Sequence, residues 1–198
     1  PQCETSVIVL TQLPTAAAGL VNNTFPYAVL QSPTDLDFVT YGALGLGVAP
    51  FMTTLVGATA EDNVKLSANE ALAVATTVNA LIVRNGANLS GSNPLRIHSG
   101  LVAAQGTGNT ISTTAVDFGA TTALFPIQAA SSLVVASAIS GTLGLTKVGF
   151  GELILADELR AGTELLLRGL RELGLERIVL ATGDLRDIAE MITSGLSI

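Results

Sequence analysis

Side chains suited to acid–base, nucleophilic or metal chemistry are sparse in this chain. It contains one histidine, His98, and one cysteine, Cys3. A metal site of His and Cys ligands needs three or four of them, and a catalytic triad needs a histidine held by a carboxylate. His98 follows the strand-like run Leu95-Arg96-Ile97 and precedes Ser99-Gly100, so we expect an exposed residue at a strand end. The pattern predicts no metal site and no bound cofactor.

Carboxylates are the remaining candidates for chemistry in the first 150 residues. Enzymes that cleave carbohydrates place two carboxyl groups on either side of the scissile bond. The close acidic pairs here are Asp35 with Asp37 and Glu61 with Asp62. Carboxylates in polar loops are ordinarily solvated, and we expect the same of these pairs. The sequence therefore predicts a protein without catalytic residues, which is not an enzyme.

One further motif, Thr182-Gly183-Asp184, lies near the end of the chain. Before it, Ile178-Val179-Leu180-Ala181 has the composition of a buried strand, and after it apolar residues recur at helical spacing. An Asp at the start of a helix accepts hydrogen bonds from the first free N–H groups. The residues by themselves predict a strand-to-helix turn with Asp184 as the N-cap.

Composition excludes several classes of protein. Of the 198 residues 48% are apolar and only 13% charged, which is the opposite of a disordered chain. A single Cys excludes a disulfide scaffold. The net charge of −7 does not suit a protein that neutralises phosphates, so we expect no nucleic-acid partner.

Two long stretches without charge raise the question of a membrane span. They cover residues 38–60 and 118–146, and both are interrupted by Gly, by a Pro and by frequent Thr or Ser. A spanning helix requires a sustained run of large apolar residues. We therefore expect no transmembrane helix in this chain.

Charge density divides the chain into two regions, because residues 1–150 carry eleven charged side chains and residues 151–198 carry fourteen. In the first region short runs rich in β-branched residues alternate with turns such as Asn85-Gly86, and the runs include Val78 to Val83 and Leu133 to Ala136. Evenly spaced strands of this kind predict a sandwich, a barrel or a solenoid. Few aromatic and many small residues favour the narrow solenoid, although a sandwich remains an alternative. At about 20 residues a coil, 150 residues make about seven coils.

The segment from Ala138 to Leu155, AISGTLGLTKVGFGELIL, resembles the autotransporter-associated β-strand repeat. In that family a segment of the form I-S-G-x-G-G-L-T-K-x-G-x-G-T-L-x-L recurs along the passenger of bacterial outer-membrane autotransporters. Leu143 replaces the first paired Gly, and Glu152 replaces the usual Thr. Upstream segments extend the resemblance to about residues 35–156; they include Asp62-Asn63-Val64-Lys65-Leu66, Gly108-Asn109-Thr110-Ile111-Ser112 and Val116-Asp117-Phe118-Gly119-Ala120.

This resemblance implies a mainly β protein, a right-handed parallel β-helix whose coils span residues 35–156. Gly141, Gly144, Gly149 and Gly151 would form its corners with positive φ, and Lys147 would be an outward residue on a strand edge. The resemblance further implies a non-catalytic, adhesin-like structural protein, secreted or on the cell surface and associated with a bacterial outer membrane. Host or cell-surface components would be its partners. We assign residues 1–151 to this passenger-like domain.

From Glu152 onward the chain resembles a different family, the phosphorylation domain of heavy-metal P-type ATPases, which has the haloacid-dehalogenase fold. By that resemblance Thr182 and Asp184 would line a phosphate and magnesium site. The family's nucleophilic Asp, in the motif D-K-T-G-T, is absent from the sequence, and without a nucleophile no phosphoenzyme forms. One alternative function is therefore a truncated relative of such a metal-transporting ATPase. Another is a chimeric or misassembled reading frame.

Residues 152–198 are predicted to form a C-terminal β-α-β-α segment. Leucines recur at helical spacing at Leu159, Leu166, Leu170 and Leu173. An uncovered end of a β-helix invites end-to-end self-association. Burial of this leucine stripe over such an end would make the segment a cap.

Overall fold

A computed structural model of the chain describes residues 19–32, 35–42 and 45–156. All regular elements in these ranges are strands, as expected for a mainly β protein. They are β1 (Val29–Gln31), β2 (Leu36–Gly42), β3 (Gly45–Val48), β4 (Asn63–Leu66), β5 (Glu70–Ala71), β6 (Thr76–Val78), β7 (Ala80–Arg84), β8 (Asn88–Ser90), β9 (Leu95–Ile97), β10 (Val102–Gln105), β11 (Asn109–Ser112), β12 (Ala115–Asp117), β13 (Ala123–Pro126), β14 (Ser132–Val135), β15 (Ala138–Ser140), β16 (Leu145–Val148) and β17 (Glu152–Leu155).

From β4 onward every third strand stacks in parallel on the one before it, which makes a β-solenoid with three faces. The first face contains β4, β7, β10, β13 and β16, with β10 and β13 joined by isolated parallel bridges. The second contains β5, β8, β11, β14 and β17, and the third β6, β9, β12 and β15. The prediction of stacked parallel coils is confirmed for residues 63–155, which form about four coils.

The length of a coil varies because its corners vary. Asn63 lies opposite Ala80, 17 residues later, whereas Asn109 lies opposite Leu133, 24 residues later. The strands keep their register across this range, so the extra residues lie in the corners. The expected coil of about 20 residues therefore falls within the observed range.

The prediction that the parallel coils extend over residues 35–156 is wrong at its start. About seven coils were expected in residues 1–150, whereas the described residues form about four, in residues 63–155. Strands β1, β2 and β3 form an antiparallel sheet instead. Gln31 pairs with Leu36 and Gly42 pairs with Gly45, so each connection is a tight hairpin. A parallel pair needs a crossover of about a dozen residues or more, which these connections are too short to provide.

The core of the solenoid consists of rows of Leu, Ile, Val and Ala that point inward from the three faces. Leu81, for example, lies opposite Val64 on one side and Val102 on the other, and all three are fully buried. Phe118 and Phe125 are the large residues of this core and meet edge to face, with their ring centroids 5.7 Å apart. Each inward row adds apolar burial for every coil that is stacked, which is the dominant stabilising contribution of such a fold.

A second, smaller core lies on the outer side of the first face. The antiparallel sheet packs there, so that Leu36 and Phe38 contact the outward Ile82 and Leu101 of the coils, with Ala49, Ala80 and Ala103 in the same cluster. These residues are buried, although their strands alternate between inward and outward positions. The first face therefore carries a buried apolar cluster on its outer side as well as on its inner side.

The end of the solenoid before β4 is closed by the segment that precedes it. Leu55 enters the core and is 3% exposed. Glu70 lies opposite the inward Leu89, and its carboxylate accepts hydrogen bonds from the Leu55 N–H (2.9 Å) and the Thr54 hydroxyl (3.1 Å). The polar residue at this core-facing position thus holds the closing segment in place.

At the other end, the strands β15, β16 and β17 have core-facing side chains that the described residues leave uncovered. Leu145, opposite the buried Ala123, is 40% exposed. Lys147 lies opposite Phe125, and Thr146 takes the outward position opposite Leu124. The expectation that Lys147 points outward is therefore wrong, because the register of β16 on β13 places it in an inward row.

The corner after β16 explains how this register is held. Gly149 has φ +82°, and a Cβ atom there would lie 2.3 Å from the carbonyl oxygen of Ile127 in the coil below. A Cβ at Gly151 would lie 2.2 Å from the Gln128 carbonyl. Gly149 has the positive φ expected of a corner, whereas Gly141, Gly144 and Gly151 do not. At Gly151 glycine is required by close approach rather than by φ.

Strand β17 pairs with β14 and belongs to the solenoid. The unit that contains all described residues ends at Ala156. The predicted helices and second strand of the C-terminal segment lie outside the described residues. A division into domains at residue 151 stays a prediction.

Candidate functional site

The acidic pair Asp35 and Asp37 belongs to an ion cluster between the antiparallel sheet and the first face. The Lys65 ammonium lies 2.5 Å from Asp37 Oδ1 and 2.8 Å from Asp35 Oδ1, and Arg84 also pairs with Asp35. The Lys65 side chain is only 5% exposed, and its ammonium lies 4.8 Å from the centroid of the Phe51 ring. The expectation of a solvated loop carboxylate is wrong for Asp37, which lies within β2 and has 19% of its side chain exposed. Asp35 lies before β2 and keeps 41% of its side chain exposed, although the sheet places it beside the same cations.

The electrostatics of this cluster keep Asp35 ionised. Burial alone raises the pKa of Asp35, but the hydrogen bonds from Lys65 and from the Leu36 N–H, with the positive charges of Lys65 and Arg84, lower it further than burial raises it. The net pKa lies below the ordinary value of 3.8. A carboxylate of this kind is not a proton donor near neutral pH, since a general acid needs a raised pKa. The cluster attaches the sheet to the coils.

The second acidic pair serves a turn. Asp62 accepts hydrogen bonds from the Thr59 hydroxyl (2.7 Å) and the Thr59 N–H (2.9 Å), and both lower its pKa. Glu61 beside it is exposed. This pair shapes the segment that closes the first end of the solenoid. Among the described residues, no second carboxylate is a hydrogen-bond partner of the pair.

A row of polar side chains crosses the outer side of the third face. Thr77, Arg96, Asp117 and Ser140 occupy equivalent positions on β6, β9, β12 and β15. Arg96 Nη1 lies 3.3 Å from Asp117 Oδ2, and the Ser140 hydroxyl donates to Asp117 Oδ1 at 3.1 Å. The Gly119 N–H, followed by Ser140 and Arg96, lowers the pKa of Asp117, although burial opposes them. This row was not predicted from the sequence, where the only sign of it is that the four polar residues follow one another at intervals of one coil.

A buried polar network ties the first described residues to the coils. The Asn79 amide donates to Asn63 Oδ1 and the Asn63 amide donates to the Thr24 hydroxyl, both at 2.8 Å. All three side chains are buried, so each hydrogen bond replaces one lost to water. Nothing in the sequence spacing of Asn63 and Asn79 distinguished them from the other asparagines of the chain.

The remaining candidates from the sequence do not join a common site. His98 is exposed directly after β9, as expected, and its backbone N–H donates to the Val78 carbonyl. Cys3, Thr182 and Asp184 lie outside the described residues. Within residues 19–32, 35–42 and 45–156, no group of three or more His, Cys, Asp or Glu side chains is placed to hold a metal ion.

A shallow groove of about 370 Å³ lies at the closed end, between residues 55–60 and 70–77. Alanine, threonine and valine line most of it, and Val56 and Val74 are largely exposed. Glu70 also lines it, but its Oε1 is engaged by the closing segment. The groove is lined mainly by small apolar side chains, and its lining residues do not form an arrangement of catalytic groups.

None of the helices required for a membrane span is found in the part of the chain that the structure describes. The fold and the paired charges define the class of protein as a parallel β-solenoid with an antiparallel sheet on one face.

Comparisons with protein families, with curated proteins and with solved structures find no match to this chain. The two family resemblances therefore stay predictions.

Proposed function

We propose that this chain is a non-catalytic structural β-solenoid of the autotransporter-passenger type, which is secreted or displayed on a bacterial cell surface and acts as an adhesin. The observation that supports it most is the parallel β-solenoid of residues 63–155, and the ion pairs described above fit a structural role. Lys65 and Arg84 pair with Asp35, and Arg96 pairs with Asp117, so these charges stabilise the stack.

The second face supplies a surface for a partner. Its outward positions include Asn88, Thr110 and Val134 in one row and Ser90 and Ser112 in the next. Rows that combine neutral hydroxyl and amide groups with the apolar Val134 suit the extended contact surfaces by which repeat proteins bind. Host or cell-surface components are the class of partner we propose for this face.

Protease treatment of intact cells tests the location. Cells of the producing bacterium are treated with protease before and after lysis, and the chain is followed with an antibody. We expect loss of the chain, or of its membrane-bound form, from intact cells, while a cytosolic enzyme in the same cells stays whole. Degradation only after lysis would contradict the proposal.

Adhesion is tested with the purified full chain. Beads coated with the folded chain are expected to attach to epithelial cell layers, and beads coated with the heat-unfolded chain serve as the matched control. A variant with Thr110→Lys, which changes the second face without touching the core, should attach less. Equal attachment of all three would refute the adhesin role.

A further inference from the structure

The ion cluster between the antiparallel sheet and the first face brings an amine into contact with a carboxyl group. Lys65 on β4 and Asp37 on β2 are 28 positions apart in the sequence, and Lys65 Nζ lies 2.5 Å from Asp37 Oδ1. A second carboxylate oxygen, Asp35 Oδ1, lies 2.8 Å from the same nitrogen. An amine, a carboxyl group and a neighbouring proton acceptor are the groups that amide formation requires.

The surroundings of this contact keep most water away from it. The Lys65 side chain is 5% exposed and the Asp37 side chain 19% exposed. The ammonium lies 4.8 Å from the centroid of the Phe51 ring, and Lys65 is paired in the sheet with the fully buried Ile82. Two opposite charges in such a place carry a cost of desolvation, and a neutral amide would not carry that cost.

Asp35 is held where it can transfer a proton. Its Oδ1 accepts a hydrogen bond from the Leu36 N–H at 2.8 Å and pairs with Arg84, so the carboxylate is fixed from two sides. The pKa of Asp35 lies below its ordinary value, so the group is ionised and can accept a proton.

We propose that Lys65 and Asp37 join in an intramolecular amide bond between Lys65 Nζ and Asp37 Cγ, with Asp35 as the group that transfers a proton. The Lys65 ammonium gives one proton to the Asp37 carboxylate, and the resulting amine attacks Asp37 Cγ. Asp35 accepts a second proton from the nitrogen of the tetrahedral adduct. It passes this proton to the hydroxyl group of the adduct, which leaves as water when the Cγ–O bond breaks. Asp35 is ionised at the end as at the start, and no further reactant is needed.

Contact within one folded chain favours this reaction. Well-oriented groups in one molecule react as if they were present at about 10⁵–10⁸ M. The product would tie β2 covalently to β4, in a ring closed by residues 37–65. This inference does not depend on where the protein is located or on what it adheres to, because it requires only the position of the sheet on the first face.

Mass spectrometry of the purified full chain tests for the bond. The intact mass is expected to lie below the mass of the sequence by one water. Trypsin should fail to cleave the unfolded chain after Lys65, whose amine is acylated, while it still cleaves after Arg84. Chymotrypsin, which cuts after Tyr41 and Phe51, should release one branched peptide that contains both Asp37 and Lys65. The branched peptide distinguishes the bond from a cyclic imide at an aspartate, which loses the same water but joins no distant segments.

Two matched variants separate the bond from the ion pair. Lys65→Arg keeps the positive charge, but its guanidinium stays protonated and does not attack, so the full mass is expected. Asp35→Asn retains both reacting groups, and in freshly synthesised chain it should lose water at least about tenfold more slowly than wild type. Far-UV circular dichroism verifies that both variants are folded.

A wild-type chain with the full mass and with only unbranched peptides would overturn the proposal. A link between residues 37 and 65 in Lys65→Arg would overturn it as well. Water loss in Asp35→Asn at the wild-type rate would refute the role given to Asp35.

Discussion

Replacement of Gly100 by alanine measures how closely adjacent coils approach each other at their corners. Gly100 has φ +85°, and a Cβ there would lie 2.2 Å from the carbonyl oxygen of Thr122 in the next coil. Left-handed backbone costs an alanine about 1–2 kcal/mol. The clash adds about 1–3 kcal/mol, the usual cost of forcing extra volume into a packed site. We expect Gly100→Ala to lower the free energy of unfolding by about 2–5 kcal/mol.

Gly57→Ala is the matched control, because Gly57 has φ +76° but no atom within 4 Å of the added Cβ. It carries the backbone cost without the clash. That cost is partly offset by the lower entropy of the unfolded chain, so a loss of about 1 kcal/mol is expected.

Urea unfolding of both full-length variants, followed by far-UV circular dichroism, gives the comparison. The midpoint should fall clearly further for Gly100→Ala, with little change in the slope m. Equal losses would mean that the coils move apart at this corner without cost. The reasoning from close approach would then be refuted.

Three further outcomes follow from the described contacts and from the sequence. Because the pKa of Asp35 is lowered, its stabilising contribution is present above the unfolded value of 3.8 and is lost as the pH falls below it; Asp35→Asn should therefore flatten the fall in urea midpoint at acid pH. The N–H of Gly86, which follows Asn85, donates to Asn109 Oδ1. Asn109→Ala should free the Gly86 nitrogen to attack the side-chain amide of Asn85, and mass spectrometry should then show severalfold faster deamidation. An unchanged rate of deamidation would contradict this. Since the D-K-T-G-T motif is absent, γ-labelled ATP should give no acid-stable phosphoenzyme, and label that disappears with Asp184→Asn would contradict this expectation.

The strands themselves could be predicted from the sequence because short β-branched runs define them locally. The run Leu95-Arg96-Ile97 is β9, and Leu133 to Val135 lies within β14. The run from Val78 to Val83 is divided by a corner at Asn79, whose buried side-chain amide donates to Asn63 of the coil before it. Such a division depends on a partner in another coil, which no local pattern contains.

The direction of pairing could not be predicted from the same runs. Strand β2 is as rich in apolar and β-branched residues as the strands of the coils, yet it pairs antiparallel because its connections are short. The prediction that Lys147 points outward was wrong for a related reason. Alternation along a strand gives two sets of side chains, and only the register on the neighbouring coil decides which set faces inward.

The ion cluster depends on contacts that are distant in sequence. Asp35 and Lys65 are separated by 30 positions, and they meet only because the sheet folds over the first face. The lysine between Val64 and Leu66 in a short strand was the available signal, since a buried ammonium requires a carboxylate partner.

The antiparallel sheet makes the two ends of the solenoid differ in how readily they unfold. Through Leu36, Phe38, Asp35 and Asp37 it contacts side chains on β4, β7 and β10, and so splints three successive coils together. Strands β16 and β17 have no such splint among the described residues. A quasi-one-dimensional array loses its weakest terminal unit first. Among the described strands we therefore expect β16 and β17 to fray first, so that their amide protons exchange with solvent before those of the splinted coils.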